Sequence, residues 1–338
     1  YTFLVCLNHL TKHWNSQPQE SLKTSKIFYF PPEMKAIIQQ IREYFSAVDK
    51  KVLLAVSVFT AILIFLNYHF DADSYIKKQH SFAFSFISRY ALFLLAFSVP
   101  YLLYRLIAKR KYTSNPAFIF LVLLAPAIFS FKSSVDFHFN FSPNLNWNNY
   151  WNHIVYWPLL VLIIGGALFI IWKVFDKEQP FYGLKTKEMN WRPYLLMLLI
   201  MMPLIAAAST QQDFLAVYPK LKTIASIYDE PGMQWWHKLL FEISYGTDFI
   251  TIELFFRGFL ILAFIKWAGK DAILPMACFY CAIHFGKPMG ECISSYFGGI
   301  LLGIVVYHTR SILGGLIVHL GIAWLMELGG YIGNAFIK

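Results

Sequence analysis

Residues 248–260 read D-F-I-T-I-E-L-F-F-R-G-F-L, residues 278–291 read C-F-Y-C-A-I-H-F-G-K-P-M-G-E, and residues 311–323 read S-I-L-G-G-L-I-V-H-L-G-I-A. Each is an apolar run of membrane character with one or more ionisable side chains sunk into it. A titratable group inside a lipid-spanning segment is costly, so it marks a functional site by default and calls for a partner. Glu253, Arg257, His284, Glu291 and His319 all fall within one window of 67 residues.

Composition supports the membrane reading. Of the 338 residues, 57% are hydrophobic, 19% aromatic and only 14% charged, against about 25% charged in a soluble domain. The chain is expected to be an all-α, polytopic integral membrane helical bundle. Nine apolar stretches are candidate spans: 51–67, 82–107, 116–131, 154–174, 193–209, 239–267, 271–285, 292–308 and 312–330. A spanning helix takes about 20 residues, within about 17–25. The third, seventh and eighth stretches are short, which gives eight or nine transmembrane helices. The sixth is long enough to hold a break near Tyr245-Gly246.

The net charge of +10 does not point to nucleic acid, because the basic residues sit between apolar segments as anchors. With the N-terminus in the cytosol, twelve basic residues fall in inner loops and seven in outer loops. The positive-inside rule then predicts a cytosolic N-terminus, in the cytoplasmic (plasma) membrane. The four cysteines form no disulfide framework, and residues 1–33 show no signal-peptide pattern.

Three regions follow. Residues 1–50 read as a cytosolic tail closing on an amphipathic helix, in which Met34, Ile37, Ile38, Ile41, Tyr44 and Phe45 recur at spacings of three and four. Such a helix lies in the membrane interface or packs on the bundle. Residues 51–192 are N-terminal transmembrane helices, and 193–338 form the core that carries all five ionisable residues. Residues 136–153, rich in Asn and aromatics, suit a headgroup-level belt. Residues 210–237 are long for a connection and read as a surface amphipathic helix or a lid.

Glu253 and Arg257 stand four apart with the acid first, the better order for an ion pair on one helix face. Glu242, three turns earlier, lies near the same face. Glu253 and His284 each lie about 13 residues from the 266–270 loop, so two antiparallel helices place both at about 20 Å depth. A packing ion pair and a packing histidine are the plainer alternatives. His319 lies about 12 Å into the last helix. Glu291, beyond the Gly286–Gly290 turn, either reaches back to orient His284 or is a hydrated loop acid. Cys278 and Cys281, with His284, are soft zinc ligands in type; as a lone pair inside lipid they read better as packing residues. A buried carboxylate can take a proton from water and return it to a leaving amine, while imidazoles donate to a developing oxyanion. This is a toolkit for peptide hydrolysis without a Ser or Cys nucleophile, and also one for proton relay in a transporter.

The order Glu-x3-Arg-Gly, aromatic-x3-His, a Gly-rich helix and a final His resembles the CAAX protease and bacteriocin-processing (Abi) family of intramembrane peptidases, over roughly residues 195–330. The family's first motif has two adjacent glutamates; here Ile252 stands in place of the first, the one to which the family assigns water activation. Tyr280 and His284 meet the second motif. In the third, His-x3-Asn/Asp, His319 is followed by Ala323. The resemblance implies an intramembrane endopeptidase whose catalytic residues are Glu253, Arg257, His284 and His319, with Glu253 taking the base role and Glu291 supplying the lost carboxylate. A non-catalytic membrane binder or chaperone is the alternative. The cofactor is open: none, or a zinc ion at the Glu/His site. Expected partners are the lipid bilayer and a peptide or protein substrate, with a membrane-protein partner as a further option and no nucleic acid.

Overall fold

A computed structural model describes residues 32–79, 81–184, 190–224, 227 and 230–336; the tail 1–31 lies outside them. The described residues are helical, with no strand among them. In chain order the α-helices are α1 Pro32–Ala47, α2 Lys50–Phe70, α3 Ala72–Lys78, α4 Phe82–Ile107, α5 Pro116–Ser134, α6 Leu145–Phe175, α7 Arg192–Ala208 and α8 Gln212–Val217. They continue with α9 Trp235–Glu253, α10 Ile265–Ala268, α11 Ile273–Ala282, α12 Met289–Thr309 and α13 Leu313–Phe336.

The starts of several helices follow from local chemistry. Asp49 accepts from the backbone N–H groups of Lys51 and Val52, and Asn144 from those of Asn146 and Trp147. Asn115 caps α5 in the same way, with Pro116 at the first helical position, where its missing N–H costs nothing. The Asn144 cap brings the Asn- and aromatic-rich run inside α6, which begins at Leu145 rather than near residue 154.

Six helices among the described residues are long and apolar enough to cross a membrane: α2, α4, α5, α6, α12 and α13. The eight or nine expected from sequence exceed this because three stretches behave differently. Helix α7 has 17 residues, and α11 has ten, about 15 Å of rise. The third, 239–267, holds too many polar groups in its first half for a spanning window. It runs unbroken through Tyr245-Gly246 as α9, then changes at Leu254 into a π-helix, Leu254–Ala263. The expected break is therefore a change of helical winding two turns later, at the Glu253–Arg257 pair.

Burial explains the arrangement. Every residue from 251 to 264 and from 271 to 282 is buried, so these two stretches form the axis around which the longer helices stand. Phe129 of α5 lies 5.0 Å, ring to ring, from both Phe255 and Phe256, and Phe93 of α4 lies 5.0 Å from Phe279. Leu54, Val58, Ile62 and Phe65 of α2 are exposed, as lipid-facing residues are. The apolar face of α1 is not left to the interface: Ile37 packs with Tyr194, Leu302, Val305 and Val318.

The turn Phe181–Gly183 clasps the π-helix. Tyr182 and Gly183 have positive φ, and the Gly183 carbonyl accepts from Ile312 N at 3.1 Å, at the threshold of α13. Gly258 lies against this turn; a Cβ there would sit 2.8 Å from the Tyr182 carbonyl oxygen. Gly258→Ala is thus expected to destabilise the protein by about 1–3 kcal/mol in thermal unfolding. Gly165→Ala on α6, where a methyl group meets open space, should be neutral or slightly stabilising.

Candidate active site

Glu253 ends α9, and Arg257 sits one turn further, inside the π-helix. Their side chains are 0% exposed, and Arg257 Nη1 lies 3.2 Å from Glu253 Oε1. The same carboxylate oxygen accepts from His319 Nδ1 at 2.8 Å. Helix α13 comes this close because Gly315 precedes His319 by one turn: a Cβ there would fall 2.7 Å from Glu253 Oε2. The Arg257 guanidinium lies 4.0 Å over the Tyr280 ring. That cation–π contact offsets the burial of Nε and Nη1, neither of which has a hydrogen-bond partner.

Tyr280 joins the two histidines. Its hydroxyl is 2.9 Å from His319 Nε2, and its backbone carbonyl is 2.8 Å from His284 Nδ1. A carbonyl only accepts, so His284 carries its proton on Nδ1 and presents Nε2 as an acceptor. His319 donates through Nδ1 to Glu253. When it is neutral, its Nε2 therefore accepts from the Tyr280 hydroxyl.

Glu291, in the first turn of α12, is held from two sides. Tyr218 Oη is 3.1 Å from each carboxylate oxygen, and Lys287 Nζ is 3.3 Å from Oε1. His284 lies within electrostatic reach of the same carboxylate. The turn that carries His284 towards Glu291 is pinned by α2, where Asn67 Nδ2 donates to the Phe285 carbonyl at 2.9 Å and Tyr68 Oη to that of Lys287 at 2.6 Å.

Arg257, Tyr280, His284, Glu291 and His319 line one cavity of about 700 Å³. The rest of its wall is mainly apolar: Ile200 and Leu204 from α7, Phe297 and Leu301 from α12, Val318 and Ile322 from α13. Glu253 does not line it; it stands behind His319, wholly buried. Ile252 is buried in the main apolar core, and Ala323 packs with Tyr245 and Phe249. Neither position where the family motif is polar faces the cavity.

Other residues singled out by sequence lie elsewhere. Glu242 accepts from Tyr331 Oη at 3.3 Å, outside this cluster. Cys281 meets Cys292, with sulfur atoms 3.7 Å apart, rather than joining Cys278 and His284 around a metal. Among the described residues no three His, Cys, Asp or Glu side chains converge as metal ligands. Both ring nitrogens of His319 are engaged, so the donor set does not fit a zinc ion at the Glu/His site.

Sequence reasoning missed Tyr218, Asn67 and Tyr68, which reach the site from 73, 218 and 219 residues away. It also passed over the Tyr280 hydroxyl. Lys287 had a legible signal, its i,i+4 spacing from Glu291.

Residues 235–325 match the model of one family, described as type II CAAX prenyl endopeptidase Rce1-like. The match spans about a quarter of the chain, begins at the first residue of α9 and takes in Glu253, Arg257, His284, Glu291 and His319. It bears out the resemblance seen in the motifs. No curated protein and no solved structure matches the chain.

The buried pair yields a sharp expectation. Removing one partner strands a charge and costs about 3–5 kcal/mol. Arg257→Met should lower stability by that amount in unfolding from detergent micelles. Adding Glu253→Gln to it should restore at least half of the loss. Simple additivity of the two single losses would contradict the pairing.

Proposed function

We propose that the chamber is the active site of an intramembrane endopeptidase, which hydrolyses a peptide bond beside an apolar, membrane-embedded or lipid-linked segment. One observation carries the reading: acid, imidazole, phenol and guanidinium groups from α11, α12, α13 and the π-helix face a single cavity whose remaining walls are mainly apolar. The matched family's description supplies the peptidase chemistry, and its term "prenyl" suggests the kind of apolar anchor the walls would hold. An integral membrane location follows from the apolar helices. A cytosolic N-terminus in the plasma membrane is our reading of the loop charges.

The roles are distributed as follows. Glu291, the carboxylate on the cavity wall, is the general base in place of the missing first glutamate. His284 Nε2 accepts one hydrogen of the attacking water, and Glu291 takes the other as the water oxygen bonds to the carbonyl carbon. Glu291 then returns that proton to the nitrogen as the C–N bond breaks. The carbonyl oxygen needs a donor as its charge develops, and Ala323 offers none. The Tyr280 hydroxyl takes that part. The phenolic hydrogen, shared with His319 Nε2 at 2.9 Å, turns to the substrate oxygen as its charge develops.

On this reading Glu253 is a positioning residue rather than the base, because it has no face on the cavity. Arg257 balances its charge and fixes the Tyr280 ring. A non-catalytic membrane binder is the second reading, and the apolar surroundings of Ile252 and Ala323 favour it.

The test uses protein in lipid vesicles and a fluorescence-quenched peptide ending in a prenylated Cys-aliphatic-aliphatic-X sequence. Glu291→Gln and His284→Ala should each lower kcat by about 10²–10⁴-fold, and Tyr280→Phe by about 10²–10³-fold, with unfolding temperatures preserved. Wild-type turnover in both Glu291→Gln and His284→Ala would remove the hypothesis. A wild-type protein that binds the peptide without cutting it would establish the binder instead.

A further inference from the structure

In the segment between α7 and α9, the Tyr218 side chain reaches Glu291 on the chamber wall. The Tyr218 hydroxyl donates to Glu291, 3.1 Å from each carboxylate oxygen, and accepts from Lys287 Nζ at 2.8 Å. We propose that Tyr218 is a positioning residue of the hydrolysis, which together with Lys287 fixes the Glu291 carboxylate in the orientation that receives the proton of water. This rests on Glu291 being the base.

The placement of Tyr218 is built into α13. Residues 329–334 read G-G-Y-I-G-N and present a flat face to the segment that follows α7. A Cβ at Gly330 would fall 2.6 Å from both Tyr218 C and Pro219 N, and one at Gly333 would fall 2.5 Å from Ser209 O. Asn334 Nδ2 donates to the Tyr218 carbonyl at 2.9 Å. The Tyr218 ring is buried, packed with Phe214 and Leu215. The backbone is thus seated closely enough on α13 to set where the phenol ends.

Packing alone would be served as well by phenylalanine, whose ring fills the same space. The hydroxyl adds nothing to that packing; its partners are Glu291 and Lys287. A glutamate side chain has three rotatable bonds, and ordering it costs conformational entropy. Two donors from separate segments remove that freedom before substrate arrives, and a misplacement of about 1 Å in a reacting group can cost about 10²-fold in rate. Other ionisable groups around Glu291 include His284 just beyond α11, Tyr280, Tyr68, Cys292, Lys220 beside Tyr218, and Glu327 from α13.

The experiment compares variants in the vesicle assay with the quenched prenylated peptide, with single-turnover rates for the slow ones. Tyr218→Phe should lower kcat by about 10–100-fold, leave KM within about twofold and leave the unfolding temperature unchanged. On a Glu291→Gln background it should cause no further loss, because the group it positions is gone. Lys287→Arg should retain most of the rate, and Lys287→Met should lose it. Wild-type kcat in Tyr218→Phe, or a full additional loss on the Glu291→Gln background, overturns the assignment. If Tyr218→Phe does not fold, the Lys287 pair decides: equal wild-type rates for Arg and Met overturn it. Glu291→Gln at wild-type turnover would sink the general-base reading itself. Inactive Glu291→Gln beside unaffected Tyr218→Phe would sink the positioning role alone.

Discussion

A carboxylate and a guanidinium shut away from both water and lipid constrain the whole C-terminal half of this protein. Neither Glu253 nor Arg257 is tolerable alone at that depth, and their mutual contact leaves further polar atoms to satisfy. His319 from α13 bonds to the Glu253 oxygen that also faces Arg257, and the Tyr280 ring from α11 covers the guanidinium. Three helices are therefore obliged to meet at one level, and the two histidines arrive there as a consequence. Gly315 is the steric condition for this meeting, since any side chain at that position would collide with the acid.

The N-terminal helices are more than a wrapping. Phe93 and Phe129 brace the aromatic layer behind Phe255, Phe256 and Phe279. Asn67 and Tyr68 hold two carbonyls of the turn that separates His284 from Glu291. Without those hydrogen bonds nothing from α2 would hold the six residues that separate His284 from Glu291. Elsewhere on the cavity wall, apolar side chains of α7 stand with those of α12 and α13.

The departures from the family motif become intelligible in three dimensions. Ile252 lies in the apolar core and Ala323 against Tyr245 and Phe249, so an acid or amide at either position would need its own buried partner. Polar groups in the cavity come from elsewhere, Glu291 from the start of α12 and the phenol of Tyr280 from α11. A motif comparison scores the two positions as losses. It does not register that a carboxylate 39 residues further along the chain, Glu291, lines the cavity.

The sequence by itself determined that this is a helical membrane protein, which residues are the costly ones, and that Glu253 and Arg257 pair, because hydrophobic run length and i,i+4 spacing are local properties. It did not reveal that α11 is too short to span, since apolar composition looks alike whether a segment meets lipid or protein. Nor did it tell which side of α9 meets α13, and so it did not show that Glu253 stands behind His319, off the cavity wall. The identity of the groups lining the cavity, and the arrival of Tyr218 beside Glu291, were decided by tertiary contacts between segments 40 to more than 200 residues apart. Those contacts are fixed by steric fit at glycines and by the pairing of buried polar atoms, neither of which leaves a periodic trace in the chain.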